Sequence, residues 1–330
     1  MSPEKTGRKQ PRTRIVTLTV KMRPFGERPM LIRRGAVWTI ITAFSFVLSL
    51  RAQQAEIPAM SAEELVRVTV QNEIDATNHP SLKYMFCSHK TGLRESQTHL
   101  YVETTQAMAG MLVATDGHPL TPEQKQAELN RLNAIASNPD ALRRKHAREK
   151  EDTDRSLRIL KALPDAFHYE YVGTESGTAD VGGAGAQLVR LKFTPNPSYA
   201  APTRMEQVLA GMQGYLLIDV NQRRIAGIDG TMFKEVSFGW GIIGRLDKGG
   251  HFHVEQADVG GGDWEITEMN LNVTGKVLIF KSLNFVTHEV FSNFQRVPND
   301  TTFAQGVELL KTEQQKLAQS GPPDLGKKVE

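Results

Sequence analysis

Between Gly214 and Val297 short runs rich in Val, Ile, Phe and Trp alternate with turn residues, and that rhythm most constrains the fold. It predicts an antiparallel meander, with strands over about 213–220, 223–237, 250–258, 264–273, 275–287 and 289–296. Asn221-Gln222, Lys248-Gly249-Gly250 and Gly260-Gly261-Gly262-Asp263 supply the turns between them. A sheet of this kind must bury a face, so the rest of the chain is expected to cover it. Several strands carry bulky apolar residues at consecutive positions, as in Leu216-Leu217-Ile218 and Val277-Leu278-Ile279-Phe280. Strands apolar on both faces point to helices on one side and a concave or paired face on the other.

The segments before the meander supply that cover. Ser61-Ala62-Glu63-Glu64 has capping-box spacing and opens a helix over about 61–76. Strands are expected at 84–87, 98–107 and 108–114, the first two paired around Gly92–Glu95. Thr121-Pro122-Glu123-Gln124 starts a helix running to Ser137, and Asn138-Pro139-Asp140 restarts a second that ends at Leu163, before Pro164. Six basic and four acidic residues interleave over Arg143–Arg155, the pattern of a solvated helix laced with ion pairs. Further strands are predicted at 166–173 and 187–193, joined through a flexible Gly-rich connection at 181–186, and a short helical turn at 205–210. One helix is expected over 302–316, followed by a disordered polar tail. The fold class is therefore α+β: an antiparallel meander forming a curved sheet or half-barrel covered by helices.

The start of the chain differs in kind. Residues 1–34 hold ten Lys or Arg against Glu4 and Glu27, and 35–50 is an uncharged apolar run of sixteen. This is a charged segment, an apolar core and a small-residue cleavage site after Ala52, as in an export signal. A membrane-spanning helix needs roughly 20 apolar residues, so the run is short for a permanent anchor, which is the alternative. Three segments follow: 1–52 as tail and signal, 53–300 as one β-rich domain with a helical insertion at 121–163, and 301–330 as helix and tail. The protein is expected to be periplasmic or secreted, or else anchored by residues 35–50.

Removing residues 1–52 leaves 29 basic and 35 acidic residues, a net charge of −6. The basic balance of the whole chain belongs to the leader, so nucleic acid is not an expected partner. Cys87 is the only cysteine, which excludes an intramolecular disulfide and a thiolate metal cluster within the chain. Its ordinary role is that of a small packed hydrophobe.

Among chemistry-bearing patterns, His251-Phe252-His253-Val254-Glu255 puts two imidazoles and a carboxylate on one face of a strand. Zinc accepts such a set with water as fourth ligand, although the same alternation describes any half-exposed strand. Asp219 and Asp229 form a second pair to consider for acid–base work, against an ordinary role as turn residues. The sequence contains no nucleophile elbow, no H-E-x-x-H and no dinucleotide fingerprint, and no cofactor is expected. A curved, apolar-lined sheet is suited to holding acyl chains. The lining expected from strand position is Leu217, Phe233, Phe238, Trp240, Trp264 and Phe280.

Gly214-Tyr215-Leu216-Leu217-Ile218-Asp219 and Arg224-Ile225-Ala226-Gly227-Ile228-Asp229-Gly230 carry a family resemblance. So do the late strands from Trp264-Glu265-Ile266 to Phe280 and the closing Phe291-Ser292-Asn293-Phe294-Gln295-Arg296. Over Gln187–Val297 the chain resembles the periplasmic lipoprotein carriers and outer-membrane lipoprotein-sorting proteins, and it is similar to other exported bacterial proteins. The resemblance implies a half-open barrel with helices on its concave side that binds an apolar ligand or a lipoprotein without chemistry. Membrane contact would then run through residues 35–50 or through envelope partners. Two other classes stay open: a secreted hydrolase, metal-assisted through His251 and His253, and an envelope scaffold that docks a partner through the helix at 138–163.

Overall fold

The structure, a computed structural model, describes residues 60–239, 244–277 and 281–320. The leader, the apolar run 35–50, Trp240, Phe280 and residues 321–330 lie outside those residues.

Ser61 caps α1 (Ala62–Asn78) by accepting from the Glu64 N–H at 3.1 Å, as its spacing predicts. β1 (Lys83–Gly92) and β2 (Ser96–Val102) form a hairpin, continued by β3 (Ala109–Thr115) and the two-residue β4 (His118–Pro119). α2 (Pro122–Ala136) opens on a complete capping box, with Thr121 and Gln124 each bonded to the other's backbone N–H. α3 (Pro139–Ala166) is capped by Asn138 and runs through Pro164 instead of stopping before it. Its middle is the expected ladder of ion pairs: Lys145–Glu149 at 2.8 Å, Lys150–Asp154 at 2.7 Å, and Arg155 with Glu151 and Asp152.

β5 (Phe167–Ser176) and β6 (Gln187–Pro195) pair next, and a short 3₁₀ helix (Glu206–Gly211) leads into β7 (Met212–Asp219) and β8 (Arg224–Met232). The strand expected over 223–237 is divided, because the chain leaves the sheet at Phe233 and returns as β9 (Val236–Phe238), paired with β10 (Gly244–Leu246). β11 (His251–Asp258) follows. The three strands expected across 264–296 are two long ones, β12 (Trp264–Val277) and β13 (Lys281–Val297), paired without interruption from Glu268↔Val290 to Val277↔Lys281. Gly275, expected to open a new strand, lies inside β12: a Cβ there would sit 2.2 Å from the Arg245 carbonyl oxygen, so glycine lets β10 approach. α4 (Phe303–Ser320) closes the described chain.

Among the described residues these strands form one open antiparallel sheet in the order β4-β3-β2-β1-β13-β12-β11-β8-β7-β6-β5, with β9 and β10 attached beside β12. The register shifts in five of the pairings: β1/β13, β2/β3, β5/β6, β7/β8 and β11/β12. Each such bulge bends its strand and adds twist, which curls the sheet without closing it.

Two cores lie at opposite ends and on opposite faces. On the inner face, α1 and α3 cover β5–β8 through Leu65, Val66, Leu191, Leu216, Ile218 and their neighbours. On the outer face, α4 covers β1–β3, with Phe303, Val307 and Leu310 packed on Met85, Cys87, Leu100 and Met111. Cys87 is a packed hydrophobe there, its thiol pushed up to about 11 by burial. The Gly-rich segment 177–186, expected to be a loose connection, folds onto the outer face. Val181 and Ala186 pack on Leu188, Ala226 and Trp264, while Gly182 donates to the Gln256 carbonyl at 2.8 Å.

Candidate functional site

A cavity of about 800 Å³ lies between α3 and the inner face of the sheet, within the roughly 300–1,000 Å³ typical of ligand sites. Its floor is built from alternate residues of successive strands. Leu216 comes from β7, Ile228 and Met232 from β8, Phe252 from β11, and Leu271 and Val273 from β12. Its roof is the last part of α3, where Leu157, Leu160 and Leu163 project inward beyond the charged ladder. Phe167, Tyr169 and Phe193 close the β5–β6 end, and Val208 and Leu209 of the 3₁₀ helix close a side.

Polar groups at the margins are largely engaged. Glu73, almost buried on α1, accepts from Arg224 Nε at 2.9 Å, Arg224 Nη2 at 3.0 Å and the Ile225 N–H at 2.7 Å. Such charge-assisted bonds lock α1 onto β8 at the cavity rim. Tyr169 donates to the Leu163 carbonyl at 2.8 Å, and burial pushes its phenol far up, so it stays a neutral donor. Gln256 donates to the Ile225 carbonyl at 3.2 Å. The enclosed space is therefore apolar and suits a hydrocarbon chain.

Four of the six expected lining residues fall elsewhere. Leu217 and Trp264 lie on the outer face under the segment 177–186, where Trp264 Nε1 donates to Gln222 Oε1 at 2.9 Å. Phe233 stands outside β8 beneath the Lys234 ammonium, and Phe238 ends β9; neither lines the cavity. Trp240 and Phe280 are outside the described residues. The cause is parity. In Leu216-Leu217-Ile218 no alternation marks the inward face, and the shift between Leu217 and Ile218 changes the phase again. The α3 wall was visible only in the apolar spacing of Leu157, Leu160 and Leu163, next to the charges that dominate the helix.

His251, His253 and Glu255 come together as the period-2 reading requires, around Asp229 of the neighbouring strand. His251 Nε2 is 3.1 Å and His253 Nδ1 3.2 Å from Asp229 Oδ2, while His253 Nε2 is 3.3 Å from Glu255 Oε1. Both nitrogens of His253 thus face carboxylates. The Glu255 hydrogen bond, against the opposing effect of burial, holds its pKa above the ordinary imidazole value, with Asp229 adding to the rise. Among the described residues no group of three or more His, Cys, Asp or Glu is arranged to hold a metal ion. The set is a hydrogen-bonded ladder on the sheet. Asp219 is separate from it, buried and accepting from the Asn221 and Gln222 N–H groups at 2.8 and 2.9 Å in a turn.

Fold and cavity together define a class: an open, curled antiparallel sheet with a helix-roofed apolar cavity. No protein-family model and no curated protein matches the sequence. Among solved structures, the chain is similar to a DUF1329 family protein from Desulfovibrio piger, at 8% identity and a TM-score of 0.23, over 74% of this chain and 98% of that one. A likeness at that level establishes neither a shared fold nor a shared activity. Among the described residues no helix is long and apolar enough to cross a membrane.

Proposed function

We propose that the protein is an exported, non-enzymatic binding protein that holds an apolar or acyl ligand, free or attached to a lipoprotein, in the cell envelope. The cavity beneath α3 is the observation that carries this reading: its floor and roof are hydrocarbon, and its polar margins are engaged with one another. Export is supported by the charged start and apolar run of residues 1–50, and the carrier role is in keeping with the lipoprotein-carrier resemblance over Gln187–Val297.

The test is mass spectrometry of an organic extract from protein purified without detergent from its native envelope. A stoichiometric acyl species is expected. Leu160→Trp, which fills the roof of the cavity, is expected to weaken uptake of a fluorescent fatty acid at least about ten-fold, a loss of roughly 1.4 kcal/mol. Folded protein that yields no acyl species and takes up no added fatty acid would sink the proposal.

A further inference from the structure

The inner face does not end at the cavity. Cross-strand partners share a face, so the register carries the lining of β12 onto β13, β1 and β2. Val273 stands opposite Phe285 and Leu271 opposite Thr287, and the next inner residue of β13 is Glu289. From there the face passes to Lys90 and Ser88 of β1, then to Gln97 and His99 of β2. Its character changes within one strand spacing, from hydrocarbon to hydroxyl, carboxylate, ammonium and imidazole.

This polar patch is built into the sheet. Ser88, fully buried, donates to Glu289 Oε1 at 2.5 Å, and Lys90 Nζ lies 3.9 Å from Glu289 Oε2 with half its side chain exposed. Burial pushes His99 below the ordinary imidazole value, so at neutral pH it presents one donor and one acceptor. Thr287 is 3% exposed and its hydroxyl has no hydrogen-bond partner among the described residues. A buried unpaired hydroxyl is costly to keep unless something bonds to it. Its neighbour across the strand pair is Gly92, which has no side chain to satisfy it. Two residues earlier, Phe285 is 45% exposed, so the inner face is open to solvent beside it.

We infer that Thr287, Lys90 and Glu289 form a head-group subsite for an amphiphile whose hydrocarbon tail lies in the cavity, and that the head is uncharged and hydroxyl-bearing, such as a glycerol or sugar. The inference rests on the acyl-binding reading of the cavity. An anionic head would have to sit beside the nearly buried Glu289 carboxylate, and a cationic one beside Lys90. A hydroxylated head can instead donate to Glu289 and accept from Lys90 and Thr287 without adding charge.

The test compares a long-chain monoacylglycerol with the fatty acid of the same chain, each displacing a fluorescent fatty acid from the full mature chain. The monoacylglycerol is expected to bind about ten-fold tighter, the effect of one or two well-placed hydrogen bonds. Thr287→Val, near-isosteric but without the hydroxyl, is expected to abolish that preference at an unchanged or raised thermal midpoint, and Thr287→Ser to retain it. Equal binding of the two ligands, or a preference that survives in Thr287→Val, overturns the head-group subsite and leaves the cavity reading standing. If neither ligand binds, the cavity reading fails and the subsite falls with it.

Discussion

Glu265 shows how one carboxyl can set the pH response of this fold. It opens β12 beside Trp264, where burial first, then the Glu103 and Asp263 carboxylates, push its pKa from an ordinary 4.5 up to about 7, against the pull of Arg224. The folded state therefore binds a proton that the unfolded chain has already lost between about pH 4.5 and 7. Stability falls as pH rises through that window, and the loss is complete above it. At about 1.4 kcal/mol per unit the full cost is at most about 3.5 kcal/mol. Glu265→Gln is expected to raise stability at pH 8 by about 1–3 kcal/mol in urea unfolding. It should leave a shallower slope between pH 4.5 and 7, since Glu103 is also raised by burial. A variant no more stable than the parent at pH 8 would show that Glu265 ionises freely. None of this could be read from Trp264-Glu265-Ile266, because the burial of Glu265 and the approach of Glu103, just after β2, arise only in the folded chain. By contrast, the His251/His253/Glu255 set was legible from spacing alone, whereas its central partner Asp229 was not, since only the β8–β11 register brings it there.

At the level of elements, the helices do more than cover faces. An open sheet has two free edges, each a row of unpaired backbone groups able to pair with another chain. Here a helix glutamate meets each one. Glu128 of α2 accepts from the Leu112 N–H of β3 at 2.9 Å while Arg131 donates to the Gly110 carbonyl at 2.7 Å. On the far edge Glu63 of α1 accepts from the Tyr169 N–H of β5 at 3.4 Å. Glu128→Ala with Arg131→Ala is expected to cost about 1–3 kcal/mol, the net worth of two charge-assisted hydrogen bonds at a half-buried edge. It should also cause concentration-dependent association in sedimentation velocity; sedimentation identical to the parent would mean that something other than these side chains protects β3. The helices themselves were legible, because capping residues are local signals: Ser61, Thr121 and Asn138 each start a helix where expected. Strand divisions were less so. The β12–β13 pairing runs straight past His288, and only the partner strand reveals that no turn is needed there.

For the whole molecule, the placing of the two cores on opposite faces leaves the middle of the inner face free. α1 and α3 hold β5–β8 from one side, α4 holds β1–β3 from the other, and β11–β13 run between them as a bridge. A ligand cavity can then open along the bridge without cutting through either core. The long strands were foreseen as a meander, but their two-sided support was not, because α4 reads as a tail helix until Val307 and Leu310 are seen buried among β2 and β3 residues. This division makes a measurable demand on cooperativity. Leu310→Ala removes a fully buried side chain from the α4 core, and Leu191→Ala does the same on β6; each is expected to cost about 2–5 kcal/mol. If the bridge uncouples the ends, hydrogen exchange will accelerate in β1–β3 and α4 for Leu310→Ala and in β5–β8 and α1 for Leu191→Ala, with the opposite end protected in each. An acyl ligand bound beneath α3 should then restore protection in the Leu191→Ala variant, whose damaged end it touches, and much less in Leu310→Ala. Uniform loss of protection in both variants would mean that β11–β13 transmit unfolding as one unit, and that the open middle of the sheet is as rigid as its covered ends.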